Sequence, residues 1–185
     1  MLNKAADVIA RGGVIIAPTE GVYGFSCRID NEAAIARILA LKGRAAGKGF
    51  ITLCATTKDA MALIEQDKLP PATLSLMHQL WPGPHTFVLP CKDTYVGLLS
   101  GYRHTLAVRV PSFPLLQELL SRCPTPIVST SANLSGHAPY KDLQAVTAAF
   151  GAQVDYVLPA ACEGLSGPTS IHDGLTGQLL RQGGA

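Results

Sequence analysis

The stretch Ser129-Thr130-Ser131-Ala132-Asn133-Leu134-Ser135-Gly136 runs directly out of the apolar segment Pro126-Ile127-Val128, and five of its eight residues carry a hydroxyl or a side-chain amide. A hydroxyl-rich stretch fastened to a buried strand restricts the fold to one in which polar groups gather at strand ends. Hydroxyls and backbone N–H groups at the C-terminal end of a strand suit phosphate or carboxylate binding. Taken alone, the stretch reads first as a polar strand-to-turn junction, because short motifs often match by accident. The same arrangement recurs earlier, where Val14-Ile15-Ile16-Ala17 leads into Pro18-Thr19-Glu20-Gly21-Val22-Tyr23-Gly24.

Between these points, strand and helix patterns alternate. Residues 2–11 read as a helix stopped by Gly12-Gly13. Strands are expected at 14–17, 23–29, 50–55, 86–90, 105–110, 127–130, 154–158 and 178–181. Asn31 caps a helix through about Leu41, with Ile35, Ile38 and Leu39 on its apolar side. Thr57 caps another over 58–65, and Pro70-Pro71 opens one that ends near Trp81. Further helices are expected at 113–122 and 142–150, the last ended by Gly151. At 185 residues, 48% hydrophobic and 15% charged, this predicts one α/β domain over 1–185 with a twisted mixed sheet. No apolar run approaches the roughly 20 residues that span a bilayer, and the N-terminus lacks the pattern of a signal peptide. A cytoplasmic protein with no membrane association is the expectation.

Charge and cysteine usage exclude several classes. A net charge of +2 is too mild to demand nucleic acid as partner. The five cysteines, Cys27, Cys54, Cys91, Cys123 and Cys162, have no paired or metal-ligand spacing. The five histidines lack the spacing of a metal site, so no protein metal ligand is predicted. Neither a Gly-x-Gly-x-x-Gly nor a Walker A sequence is present. The local basic cluster matters more: Lys42, Arg44 and Lys48 fall within seven positions, interleaved with Gly43, Gly47 and Gly49. Those glycines favour an anion-binding loop over a solvated helix face. Cationic side chains closing a helix C-terminus are the alternative.

Four segments in this order, Pro18-Thr19-Glu20-Gly21-Val22-Tyr23-Gly24, Lys42-Gly43-Arg44, Trp81-Pro82-Gly83-Pro84-His85-Thr86-Phe87-Val88 and Ser129 to Gly136, resemble the YrdC/Sua5 family, the threonylcarbamoyl-AMP synthases. The likeness extends to Leu106-Ala107-Val108-Arg109-Val110-Pro111, Pro168-Thr169-Ser170-Ile171 and Leu179-Leu180-Arg181-Gln182-Gly183. It implies an open, curved YrdC/RibB-like sheet with a concave face. It also implies a nucleotidyltransferase that joins L-threonine, bicarbonate (or carbon dioxide) and ATP into L-threonylcarbamoyl-AMP and pyrophosphate. That product feeds a downstream tRNA threonylcarbamoyltransferase complex, which modifies adenosine 37 of tRNAs reading codons that begin with A. Such chemistry needs positioned reactants and fixed positive charge more than a protein nucleophile. Mg2+ is expected to arrive with ATP and keep several waters. The extra C-terminal domain of the Sua5-type proteins is expected to be missing.

The resemblance assigns the catalytic group to Lys42, Arg44, Ser131 and Asn133, which also bind ATP together with Thr86 and Arg181. Thr19, Arg109, Ser129 and Ser170 are the threonine-binding candidates. Alanine at Lys42 or Arg44 is expected to reduce turnover while sparing stability. Thr19 has a competing reading as a local turn bond, and Arg109 as an internal bridge to an acid. Glu20 is either a carboxylate orienting neighbouring cations or a plain turn residue, and Tyr23 packs on ligand or on sheet. Trp81 reads as the anchor of a rigid turn rather than a base-stacking platform. Two departures stand out. Ala45 replaces a proline found after the basic pair in longer relatives, and Thr52-Leu53 stands where they carry a histidine. A second class of function, an RNA-binding module whose basic face contacts tRNA without chemistry of its own, fits the same basic residues.

Overall fold

The computed structural model describes residues 1–184. Its elements run α1 (Leu2–Ala10), β1 (Ile15–Pro18), β2 (Tyr23–Ser26), α2 (Glu32–Lys42), β3 (Ile51–Leu53), α3 (Thr57–Leu63), α4 (Pro71–Leu80), β4 (His85–Pro90), β5 (Thr105–Arg109), α5 (Pro114–Arg122), β6 (Ile127–Ser131), α6 (Leu143–Phe150), β7 (Tyr156–Val157), β8 (Ser170–Asp173) and β9 (Leu179–Arg181). The strands form one open mixed sheet in the order β7-β1-β2-β6-β3-β5-β4-β8-β9. The pairs β1/β7, β3/β5 and β4/β8 are parallel and the others antiparallel. Among the described residues no helix is long and apolar enough to cross a membrane.

The two faces of the sheet are covered unequally. Residues opposite one another on paired strands share a face, and successive residues alternate between faces. Ile16, Phe25, Val128, Val108 and Phe87 therefore lie on one side. They pack against Ile35 and Ile38 of α2, Leu63 of α3, Met77 of α4 and Val146 and Phe150 of α6. On the other side, Ile15, Ala17, Leu53 and Ile127 meet Ala5 and Ile9 of α1 and Leu116, Leu119 and Leu120 of α5. These two helices cover only part of that face. Two residues up the strands from Leu53 and Ile127, the same face carries Ile51 and Ser129, which pair across β3 and β6 and look into open space. The concave site is the part of the sheet that α1 and α5 leave bare.

Local chemistry explains the ends of the elements. Asn31 Oδ1 accepts from Ala34 N at 3.0 Å and starts α2. Gly43, in the left-handed region at φ 55°, ends it without the penalty a side chain would incur there. The cap of α3 is Thr56 rather than Thr57. Thr56 Oγ1 accepts from Asp59 N at 3.1 Å, and the Asp59 carboxylate accepts in return from Thr56 N at 3.0 Å, a complete capping box. Trp81 is buried, donates from Nε1 to His85 O at 2.7 Å and meets Phe87 edge-to-face, so it anchors the turn into β4 as expected.

Strand β8 has no counterpart among the sequence expectations. Ser-Ile-His-Asp holds a single aliphatic residue, and it is held between β9 and β4, the latter eighty-five positions away along the chain. The strands expected over 50–55 and 154–158 are shorter in the structure. Just past the ends of both ladders the chain still bonds to its neighbours, Cys54 N donating to Arg109 O at 2.9 Å and Leu158 N to Ile16 O at 2.8 Å.

Thr56→Ala removes the side-chain acceptor of Asp59 N and leaves only the bond from the backbone N of residue 56 to the Asp59 carboxylate. The expected cost is about 1 kcal/mol of stability, read by denaturant unfolding. Ligand binding at the cavity described next should not change.

Candidate active site

A cavity of about 470 Å³ opens over the bare part of the sheet. Its floor is Ile51, Ala107 and Val88, neighbours on β3, β5 and β4. Its walls come from the turn after β1, the end of β6, the segment after α2 and the β8–β9 hairpin. Five cations line it (Arg44, Lys48, Arg103, Arg109 and Arg181), and no carboxylate does among the described residues. The Ser129 and Ser131 hydroxyls also reach the wall. A concave site with this charge selects a polyanion.

Lys42 stands elsewhere. It closes α2 and is buried beneath the loop that follows β6. Its ammonium donates to Ser131 O, to Asn133 O at 3.1 Å and to Asn133 Oδ1 at 2.9 Å. All three of its protons are thereby used. Ser135 N returns a bond to Lys42 O at 2.8 Å. Ser131 Oγ also donates to Asn133 Oδ1 at 2.6 Å, and Asn133 Nδ2 donates to His137 O. Lys42 and Asn133 thus form the frame of this loop, and Ser131 is the member that faces the cavity. The expectation that Lys42 is dispensable for stability does not survive this arrangement, because its removal takes the ammonium donor from Ser131 O and Asn133 O and leaves Asn133 Oδ1 with Ser131 Oγ alone. Burial, and to a lesser extent the Arg44 guanidinium, push the Lys42 ammonium down to about 8.

Arg44 does line the cavity. Its Nη2 donates to Gly49 O at 2.8 Å, and the guanidinium lies 5.4 Å from the Phe50 ring centroid. Its Nε is buried without a partner among the described residues, and burial lowers its pKa. The side chain is braced from one side and offers the remainder of its fork to a ligand.

Arg109 is buried beside Glu20, with Nη1 at 3.3 Å from Glu20 Oε2. The same nitrogen donates to Thr169 Oγ1 at 2.9 Å. The internal bridge weighed for Arg109 is therefore present, although the residue also contributes to the cavity wall. Burial lowers its pKa, Glu20 opposes that, and Arg181 adds to it. Arg181 donates twice to Thr169 O, at 2.7 and 3.2 Å, so two guanidinium groups converge on one threonine.

The remaining candidates divide. Thr19 lines the cavity, but its hydroxyl donates to Val22 O at 2.7 Å, the local turn bond. Ser129 lines it, and its hydroxyl has no hydrogen-bond partner among the described residues. Ser170 is buried, accepts from Gly183 N at 3.0 Å and fastens the chain after β9 to β8, so it is not part of the wall. Thr86 is fully buried on the same face of β4 as the floor residue Val88, with its hydroxyl unpartnered among the described residues. Tyr23 is buried in the sheet core and donates from its hydroxyl to Ala160 O at 2.7 Å. Arg103 and Thr169 escaped the sequence reading. Gly49 and Gly101 bring Arg103 to the site. Both have positive φ, and a Cβ on Gly101 would stand 2.6 Å from Gly49 N, so the two loops touch through bare backbone. Nothing in a linear pattern announces that contact.

Comparison with known proteins agrees with this arrangement. The Sua5/YciO/YrdC family model, described as "Telomere recombination", matches residues 7–183. A threonylcarbamoyl-AMP synthase of Nitrosococcus oceani is 44% identical over 183 residues, covering 97% of this chain and 96% of its own. One from Escherichia coli is 41% identical over 182 residues, covering 98% and 95%. Among solved structures, P. abyssi Sua5 complexed with L-threonine superposes with a TM-score of 0.90 at 29% identity, over 98% of this chain and 54% of its own. The chain therefore spans just over half of that protein. E. coli YciO gives a TM-score of 0.84 at 28% identity, covering 100% and 90%.

The Lys42 geometry yields a pH-dependent prediction. In the unfolded chain this lysine titrates near 10.5 and in the folded protein near 8. Between those values the unfolded state binds more protons, so this group makes stability rise with pH across the window. The neutral amine, however, has two protons for three acceptors, and the loop bearing Ser131 loosens. Affinity for inorganic pyrophosphate, measured by calorimetry, should fall as pH passes about 8, with no matching loss of unfolding free energy. Lys42→Met should abolish that pH dependence and cost on the order of 3 kcal/mol of stability.

Proposed function

The chain belongs to the Sua5/YciO/YrdC family, and we infer that it is a threonylcarbamoyl-AMP synthase, a nucleotidyltransferase. The observation that carries the reading is the cavity itself: five cations and three serines (Ser100, Ser129 and Ser131) in its lining, no carboxylate among its described lining, and a volume fit for a nucleotide. The amine of L-threonine takes up carbon dioxide, supplied as bicarbonate, to give a carbamate. The carbamate oxygen attacks the α-phosphorus of ATP, and pyrophosphate leaves.

In this reading Arg44 and Arg181 hold phosphate oxygens of ATP, since an arginine fork matches them and neither side chain is paired with an acid. Lys48 and Arg103 widen the positive field at the rim. Ser131, presented by the Lys42–Asn133 frame with its proton on Asn133 Oδ1, accepts from the reacting groups. Lys42 and Asn133 act by positioning that loop. Thr19, Ser129 and Arg109 form the end of the cavity assigned to threonine, with Arg109 facing its carboxylate. Thr86 supports the floor, and Ser170 supports the hairpin that carries Thr169. The positive charge is fixed before the substrate arrives, so little reorganisation is needed as the transition-state charge develops. Magnesium is placed with the nucleotide. It would take phosphate oxygens and retain waters, and its chemistry would be to neutralise charge on the phosphate chain.

A cytoplasmic location and delivery of the product to a tRNA threonylcarbamoyltransferase complex complete the reading. The RNA-module alternative fits less well: Lys42 is enclosed under a loop, and Arg109 is buried against an acid.

Pyrophosphate release from ATP should require both L-threonine and bicarbonate, with serine a poor replacement. Release independent of either would refute the synthase reading. Arg44→Ala should lower kcat/KM by on the order of 10²-fold with only a small change in melting temperature.

A further inference from the structure

Glu20 has no assigned part in the chemistry above, yet its burial demands an account. Its side chain is 1% exposed, and neither carboxylate oxygen has a hydrogen bond among the described residues. Burying a carboxylate this way is costly unless a charge stands opposite, and the cation in contact is Arg109 at 3.3 Å. The backbone leaves Glu20 little freedom to move away. Gly164 N and Leu165 N both donate to Glu20 O at 2.9 Å. A Cβ on Gly21 would stand 2.1 Å from Gly167 O, so the turn and the overlying segment are in backbone contact. A buried ion pair of this sort contributes little that well-packed apolar residues would not. Its value lies in what it does to the guanidinium.

Arg109 and Arg181 converge on Thr169 and repel one another. Glu20 lies behind the cavity wall and is not part of the lining. It can therefore hold Arg109 by Nη1 without touching an anionic ligand, which feels the carboxylate only through the wall. We propose that Glu20 is the positioning residue of this site. It fixes the Arg109 guanidinium so that the group is aimed at the substrate and cannot collapse onto the phosphate chain or its pyrophosphate product. The proposal rests on the synthase reading.

The test begins with the parent enzyme, whose threonine- and bicarbonate-dependent pyrophosphate release establishes or removes that reading independently. Glu20→Gln is then compared with Glu20→Asp. Glu20→Gln keeps the shape and deletes the charge, so Arg109 is freed and the cavity becomes more positive. Turnover should fall about tenfold or more, while pyrophosphate binds tighter by roughly fivefold. Glu20→Asp keeps the charge but withdraws it, so turnover should fall with pyrophosphate affinity near the parent's. A role limited to stability predicts weaker pyrophosphate binding and lower turnover together in Glu20→Gln, and that result would overturn the proposal. Turnover within twofold of the parent in Glu20→Gln would do the same. Should Glu20→Gln fail to fold, Glu20→Asp decides alone: parent-like turnover sinks the proposal, and reduced turnover with parent-like pyrophosphate affinity supports it.

Discussion

The ammonium of Lys42 ties the helix layer to the working end of the sheet. It ends α2, on the side where helices cover the sheet, and its three bonds reach into the loop that leaves β6. Ser135 N returns a bond to the carbonyl of the same lysine, so the loop is held from both ends of one residue. Ser131 owes its placement to this anchor, and the neighbouring Ser129 is set by its pairing with Ile51 across β3 and β6. A charged donor with three oxygen acceptors is stronger than its neutral equivalents, which lets a short, hydroxyl-rich loop stand as a fixed wall rather than a mobile one.

The cavity follows from incomplete coverage. Four helices pack one face of the sheet, while α1 and α5 cover only the lower part of the other. The bare part retains apolar residues as a floor and collects cations at its rim from segments distant in sequence. Uncompensated, so many cations would repel. The compensation is placed out of the ligand's reach: Arg109 is paired from behind by Glu20, and Arg44 and Arg181 are held by backbone carbonyls that carry only partial charge. The wall therefore stays positive toward the ligand.

Much of the fold was legible from local signals. Asn31, Pro71 and Gly43 mark helix ends by chemistry that acts within a few residues, and the apolar runs mark the central strands. The capping threonine of α3 was misplaced by one position because Thr56 and Thr57 are adjacent and only the geometry of Asp59 distinguishes them. Strand β8 was invisible because its pairing is supplied by β4 and β9, not by its own composition. The candidate residues were a mixture of two kinds. Arg44, Ser129 and Ser131 reach the cavity, whereas Lys42, Asn133, Thr86 and Ser170 are supports buried beside it. Residue type and motif do not separate a side chain that meets the ligand from one that holds such a side chain in place.

The sequence by itself determined the α/β class, the order of most elements, the family and the general positions where polar groups leave the strands. These depend on periodicity, capping and short motifs, all of them local. Only the tertiary structure decided which way each charge points. Lys42 turned under a loop, Glu20 came to lie behind Arg109, and Arg103 joined the site through a glycine-to-glycine contact between remote loops. Those outcomes depend on burial and on partners far apart along the chain, where the cost of an unpaired buried charge selects one arrangement from many.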